Sequence, residues 1–347
     1  MKSVKDFNVN HKKVLVRCDF NVPIDDDGNI SDDFRIQKTL PTLQYLIHAG
    51  AKIIIMAHLG EPEGNIVDML KLDNIKERLQ TLLGRHIIKT DDCVGGLVKR
   101  QVLDLTDGQI LMLENLRFHK EETDNDREFA KELASFGDLY INDAFGNCHR
   151  AHASMVSVPT FLPRGAGLLL EQEISNLSKI LNNPQKPLVV LVGGAKAATK
   201  AKFIENISRL ADSVLVNELI KKEIAEKKLK FSHPEKIIKP IDGVDHFDLG
   251  ENTIKMFKEK ILQAKTVVWN GPFGKFEEEK YKSGTLELAK AIIESGAFSV
   301  VGGGETIEFL NKEGIIDKFS HVSTGGGAML EFLAGDTLPG IEALETV

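Results

Sequence analysis

The sequence predicts an α/β protein of two lobes, each a parallel β-sheet flanked by helices, with a connecting helix between them. Three observations predict it. Short β-rich runs alternate with longer amphipathic stretches along the whole chain. Most of those runs are continuously apolar, the pattern of parallel strands buried on both faces. At 347 residues, 42% hydrophobic and 27% charged, the chain is globular in composition and longer than one average domain.

Strands are expected at KVLVR (13–17), KIIIMA (52–57), QILML (109–113) and LYIND (139–143) in the first half. In the second half they are expected at PLVVLVG (187–193), SVLVN (213–217), TVVWN (266–270) and SVVGG (299–303). Amphipathic stretches such as RIQKTLPTLQYLIHAG, ending on Gly50, supply the intervening helices. The first lobe is expected over 1–160 and a connecting segment over 161–183, helical from about Leu168. The second lobe follows over 184–335, and a polar tail with Pro339, 336–347, is expected to return to the first lobe.

Composition narrows the function. A net charge of −7 argues against a general nucleic-acid binder. The opening residues MKSVKDFNVNHKK lack the apolar core of a signal peptide, and no apolar run approaches a membrane span. A cytoplasmic protein without nucleic-acid or membrane partners is therefore expected. Cys18, Cys93 and Cys148 fit neither a disulfide framework nor a zinc pattern and are expected as reduced thiols. Nine of the ten arginines fall in the first 164 residues, so the two halves differ in how they would meet anions.

In the first half, chemistry-bearing residues collect at strand ends. VRCDFNVP sets Asp19 and Asn21 two apart on an extended backbone, hence on one side, before Pro23 turns the chain away. They suit a polyol ligand or an Asx-held turn. His58 in MAHLGEPEG and Asp143 in YINDAFGNCHRAHAS follow other strand ends, with Arg35, Arg117, His149, Arg150 and His152 nearby in sequence. Several arginines and histidines on one rim point to a small-anion site. The HRAH run lacks the spacing and acids of a zinc protease.

The second half is glycine-rich at its strand ends. LVGGAKAATKAKF gives a strand, two glycines, then Lys196 and Lys200 on one helical face, either a phosphate site or a solvated helix start. WNGPFGKFEEE places an Asn270-Gly271-Pro272 turn after a strand, with Glu277 either solvated or set to accept from a ribose hydroxyl. VGGGETIEFL and HVSTGGGAMLEFLAG repeat the order strand, triple glycine, helix. Together with GGAK they point to a phosphate chain held among helix N-termini.

The series VLVRCDFNVP, HLGEP, LENLRFHKEE, INDAFGNCHRAHAS, GGAKAATK, VVWNGPFGKFE, GGGETIEFL and SHVSTGGGAMLEFLAG resembles the phosphoglycerate kinase family, in order and end to end. The resemblance implies two Rossmann-like lobes closing about a hinge, and a monomer acting on small molecules. The expected reaction is reversible phosphoryl transfer between 1,3-bisphosphoglycerate and ADP, giving 3-phosphoglycerate and ATP in glycolysis. It implies substrate contacts from Asp19, Phe20, Asn21, Arg35, His58, Leu59, Gly60, Glu61, Arg117 and Arg150. It implies nucleotide contacts from Gly194, Lys196, Lys200, Asn270, Pro272, Glu277, Gly303, Gly304, Glu305 and Thr306, with Glu305 on Mg²⁺. Arg35, Lys196, Lys200, Gly325 and Gly326 would meet the phosphoryl group in flight.

Departures from the family pattern accompany the match. Glu61 stands for the arginine of HLGRP, Glu305 for the aspartate of GGGD, and Lys275 for a small apolar residue beside the nucleoside. After SVLVN the chain is several dozen residues short and lacks the glycine-rich adenine wall; Asn217 and Glu218 stand where it would begin. These features leave open a catalytically weak phosphoglycerate-binding homologue, a kinase of altered nucleotide specificity, or a kinase of another carboxylate. The joint presence of the arginines, His58 and both lysines favours an active phosphoglycerate kinase.

Overall fold

The computed structural model describes residues 1–194 and 197–345. The chain divides into two compact units, one of Met1–Ile174 with Thr337–Val347, the other Ser175–Asp336. The helix Leu168–Asn182 carries the chain from the first into the second.

The first unit is built on a six-stranded, all-parallel sheet. Its strands are β1 (Lys13–Cys18), β2 (Lys52–Met56), β3 (Ile87–Lys89), β4 (Ile110–Met112), β5 (Leu139–Asp143) and β6 (Arg164–Ala166), in the order β3-β4-β2-β1-β5-β6. Alternate residues of the central pair, Val14, Val16, Ile53 and Ile55, pack with Ile36, Leu43 and Leu46 of the helix Phe34–His48. The intervening Leu15 and Ile54 are equally buried, so both faces of the sheet are covered. That explains the continuous apolar runs: each such side chain contributes about 1.5–3 kcal/mol on burial, and neither face is left for water.

The second unit repeats the plan. Its strands are β7 (Leu188–Val192), β8 (Ser213–Val216), β9 (Ile237–Ile238), β10 (Gly243–Val244), β11 (Asp248–Leu249), β12 (Thr266–Asn270), β13 (Phe298–Gly302) and β14 (His321–Val322). Six of them form a parallel sheet ordered β14-β13-β12-β7-β8-β9, while β10 and β11 make a small antiparallel hairpin. In both sheets the first strand lies inside, with later strands on either side, so a switch in strand order falls beside it. Ligands of open α/β sheets bind at the carboxyl ends of strands at such switch points.

The eight expected strands are all present, with ends within a few residues. Strand β6 extends the first unit past residue 160, to Ile174, because Arg164–Ala166 pairs with β5. Residues 337–345 belong to the first unit: Gly340 N–H donates to the Cys148 carbonyl (2.9 Å), and Asn142 donates to the Gly340 carbonyl (3.1 Å). Cys18, Cys93 and Cys148 are buried free thiols. No helix among the described residues is long and apolar enough to cross a membrane.

Candidate active site

In the first unit the ends of β1, β2 and β4 build a cationic patch. Just beyond β1, buried Asp19 accepts the Asn21 N–H (3.2 Å), and Asn21 Oδ1 accepts the Gly60 N–H beyond β2 (2.9 Å). Arg35, in the first turn of its helix, donates from Nη1 to Asp19 (3.3 Å) and to the Asn21 carbonyl (2.8 Å). Beyond β4, Asn115 caps a short turn holding Arg117 and donates to the Leu59 carbonyl (2.8 Å). Phe20 and Leu59 are buried and serve as packing beneath these polar groups.

Arg117 is buried, its side chain 1% exposed. Nη1 donates to the Gly60 carbonyl (2.8 Å) and pairs with Glu61 (2.7 Å), while Nε and Nη2 find no partner among the described residues. Arg150 reaches the same Glu61 carboxylate (3.0 Å). Buried guanidinium donors without acceptors are costly, and an oxyanion would satisfy them. Burial and the surrounding Arg17, Arg117, Arg150 and Arg35 push His58 well below its ordinary pKa. His152 is pushed down to about 4, by burial and then Arg117, Arg17 and Arg150. The imidazoles are thus neutral, and the charge of the patch comes from arginine.

Arg17 lies outside the residues singled out from sequence, yet it organises this patch. It is fully buried in β1 and donates to Ser154 Oγ (2.8 Å), to the Cys18 carbonyl and to His58 Nδ1 (3.1 Å). Since arginine only donates, His58 Nδ1 is the acceptor and Nε2 carries the proton. Ser154 passes the network on to buried Glu122, by its hydroxyl (2.6 Å) and N–H (2.9 Å). The signal was a lone arginine inside the apolar run KVLVRC. Arg17→Met should cost about 1–3 kcal/mol by leaving its buried acceptors, His58 Nδ1 among them, without their donor. Chemical denaturation reads this directly; an unchanged midpoint would remove the network from the account. Asp143, grouped with His58 from sequence, serves elsewhere: it accepts the Leu169 (3.0 Å) and Leu170 (3.3 Å) amides that open the helix Leu168–Asn182.

In the second unit the ends of β7 and β12 cross at backbone contact. Gly193 donates to the Asn270 carbonyl (2.9 Å) and Gly194 to the Pro272 carbonyl (2.6 Å). Lys200, on the helix Ala197–Leu210, donates to the Gly193 carbonyl. Burial lowers the Lys200 pKa, and Glu305 opposes that shift. A Cβ at Gly194 would lie 3.0 Å from Lys200 Nζ and 3.7 Å from Glu305 Oε2, so amine and carboxylate flank one glycine. Lys196 lies outside the described residues.

Glycines also open the helices Gly304–Lys312 and Gly326–Leu333. A Cβ on Gly326 would stand 3.4 Å from Gly303 Cα, so the two turns abut, and Gly325 is buried beside them. Gly304 and Glu305 are exposed at the first helix start. Thr306 faces inward, its hydroxyl accepting the Gly271 N–H (2.9 Å), and so shapes the turn. Asn270 is buried, and its Nδ2 has no partner among the described residues.

A cavity of about 240 Å³ opens between these turns, lined by Gly194, Pro272, Lys275, Glu277 and Glu305, and by Asn217, Leu219 and Phe247 on its outer side. Asn217 caps the helix Glu218–Glu226 and donates to the Gly194 carbonyl (3.1 Å). Phe247, at the tip of the β10–β11 hairpin, was not singled out from sequence; a two-residue strand on either side is too short to announce a hairpin. Lys275 Nζ sits 5.6 Å from the Phe247 ring.

Glycine turns, a lysine and a carboxylate at the switch point of one parallel sheet, and an arginine patch at that of another, define an α/β phosphotransferase. The profile of phosphoglycerate kinase matches residues 4–227 and 217–336. Relatives include phosphoglycerate kinases of Dictyoglomus turgidum, 42% identical over 388 positions (99% of this chain, 98% of that protein), and Gloeothece citriformis, 41% identical over 387 (97% and 96%). The crystal structure of phosphoglycerate kinase from Pyrococcus horikoshii OT3 superposes with a TM-score of 0.90 at 32% identity, covering 99% of this chain and 98% of that one. The Coxiella burnetii enzyme gives 0.80 at 33%, with the same coverage. The chain belongs to the phosphoglycerate kinase family. The two matched segments overlap at 217–227, where this chain passes directly from β8 into the Asn217-capped helix.

Proposed function

We propose that the first unit binds 3-phosphoglycerate or 1,3-bisphosphoglycerate and the second binds the magnesium nucleotide, for reversible phosphoryl transfer to and from ADP. The observation that carries the reading is Arg117, buried with two guanidinium nitrogens that have no acceptor among the described residues, beside Arg150 and a neutral, Nε2-protonated His58. Those donors suit the substrate phosphate, while Asp19 and Asn21 suit the glycerate hydroxyl and Arg35 the carboxylate end. Phosphoryl transfer asks for position and positive charge around the equatorial oxygens rather than covalent help. Each unit offers part of that charge within itself: Arg35 in the first, and Lys200 with the glycine amides of the helix starts in the second.

Glu305 fits a hard divalent cation: it is an exposed carboxylate on the cavity wall at a helix start, close to Lys200. Mg²⁺ prefers one or two carboxylates plus phosphate oxygens, whose charge it neutralises when bound. Glu305→Gln should raise the Mg²⁺ concentration for half-maximal velocity roughly tenfold; an unchanged requirement would exclude it as a ligand. Gly194, Asn270, Pro272 and Glu277 would hold the nucleotide, with Glu277 on the ribose and Phe247 and Leu219 walling the base. A cytoplasmic monomer without nucleic-acid or membrane partners is the setting this reading implies.

The test is a coupled assay of purified protein with 3-phosphoglycerate and MgATP, then MgGTP. Turnover with either supports the kinase. No turnover with both, alongside retained 3-phosphoglycerate binding, would overturn it in favour of a binding protein.

A further inference from the structure

The cationic patch of the first unit already holds an anion of its own. Glu61 places Oε2 at 2.7 Å from Arg117 Nη1 and Oε1 at 3.0 Å from Arg150 Nη1, one oxygen on each guanidinium. Its approach is fixed by the backbone. Gly60 sits at φ +66°, its N–H held by Asn21 and its carbonyl by Arg117 (2.8 Å), and buried Pro62 follows. The carboxylate itself stays accessible, with 58% of the Glu61 side chain exposed, as is 38% of Arg150. Burial works against its charged form, yet Arg117 and Arg150 outweigh burial and hold the carboxyl below its ordinary pKa.

Two arginines bridged by two oxygens of one anion is also how a phosphate would be seated there. A carboxylate tethered in place competes at a high effective concentration whatever the bulk ions are. We propose that Glu61 is a built-in competing anion: it holds Arg117 and Arg150 through one Nη1 each until the phosphate of the phosphoglycerate displaces it, and so sets how tightly an anion must bind to enter. The idea rests on the phosphoglycerate reading of this patch. A free sulfate or inorganic phosphate gains only the two arginines and must still displace Glu61. A phosphoglycerate gains Asp19, Asn21, Arg35 and His58 as well, and those contacts offset the displacement. Removing the acid therefore strengthens every anion at this seat by a similar factor, and admits weak anions that the displacement had kept out.

Isothermal titration calorimetry on the full chain tests this, with 3-phosphoglycerate and sodium sulfate as probes. Glu61→Gln should lower the Kd of 3-phosphoglycerate about three- to tenfold and that of sulfate by a similar factor. Glu61→Ala, which removes the acid without leaving an amide to bridge the arginines, should act alike. Arg150→Gln controls for the patch itself and should weaken 3-phosphoglycerate severalfold. If Arg150→Gln weakens binding while the Glu61 variants leave it unchanged or weaker, Glu61 is a scaffold for the arginines and the proposal is overturned. A gain for 3-phosphoglycerate without one for sulfate overturns it too. If Arg150→Gln is also without effect, the phosphoglycerate reading of the patch fails first.

Discussion

Arg35→Ala is expected to lower kcat about 10²- to 10³-fold, the loss typical of one preorganised charge at a phosphoryl or oxyanion centre. The structure explains why so much would follow from one side chain. Nη1 is spent on Asp19 and the Asn21 carbonyl, which fixes the plane of the guanidinium, while 29% of the side chain remains exposed for a ligand. Alanine removes the oriented charge and leaves Asp19 buried without its cation. Lysine would restore charge but not the planar fork, so Arg35→Lys should recover only a minor part of the rate. The decisive comparison is kcat in the coupled assay against the Kd of MgATP by calorimetry. The rate should collapse while nucleotide affinity stays within about twofold, because Arg35 belongs to the phosphoglycerate patch of the first unit. A rate within tenfold of the parent would remove Arg35 from the reaction.

The second large effect is structural. Gly271 sits at φ +90°, and a Cβ there would lie 2.3 Å from the Gly193 carbonyl oxygen and 2.5 Å from its carbon. Neither contact can be relieved by rotating a side chain, since both atoms are backbone. The left-handed φ adds about 1–2 kcal/mol and overpacking about 1–3 kcal/mol more. Gly271→Ala should therefore lower the melting temperature by roughly 10 °C, at a few degrees per kcal/mol for a unit of this size. Driving Gly271 from Gly193 also breaks the pairs that align β7 with β12, so nucleotide binding should fall with it. Gly304→Ala is the control: no atom of the described residues lies within 4 Å of its Cβ position, and its melting temperature should move little. A drop of less than about 2 °C for Gly271→Ala would mean that the two turns can separate at little cost.

Much of this was readable from the chain because burial on both faces leaves a plain signature. Runs such as LVVLV and TVVWN declare parallel strands without help from neighbours. Arg164–Ala166 and Ile237–Ile238 do not: two or three residues carry no pattern, and the strands exist only because β5 and β8 offer them edges. The site divides in the same way. His58, Arg117 and the glycine turns are visible as residue types at strand ends. What Glu61 touches is not, because the acid at 61 meets arginines 56 and 89 residues away. Likewise Ser154 reaches Arg17 over 137 residues, a contact no local spacing encodes. Thr306 looked like part of a phosphate turn, yet which way a hydroxyl faces is decided by packing around Gly271.

Residues 337–345, which pack in the first unit beside Cys148 and Asn142, carry a consequence for how the protein is made. Along the chain, the second unit is an insertion within the first. A ribosome delivers all six strands of the first sheet before the second unit begins, but not the segment that covers the Asn142–Cys148 corner. The first unit must therefore wait through the synthesis of more than 160 residues for its final piece. Until then Gly340 has not reached Cys148, and the end of β5 stays open to water and to other chains.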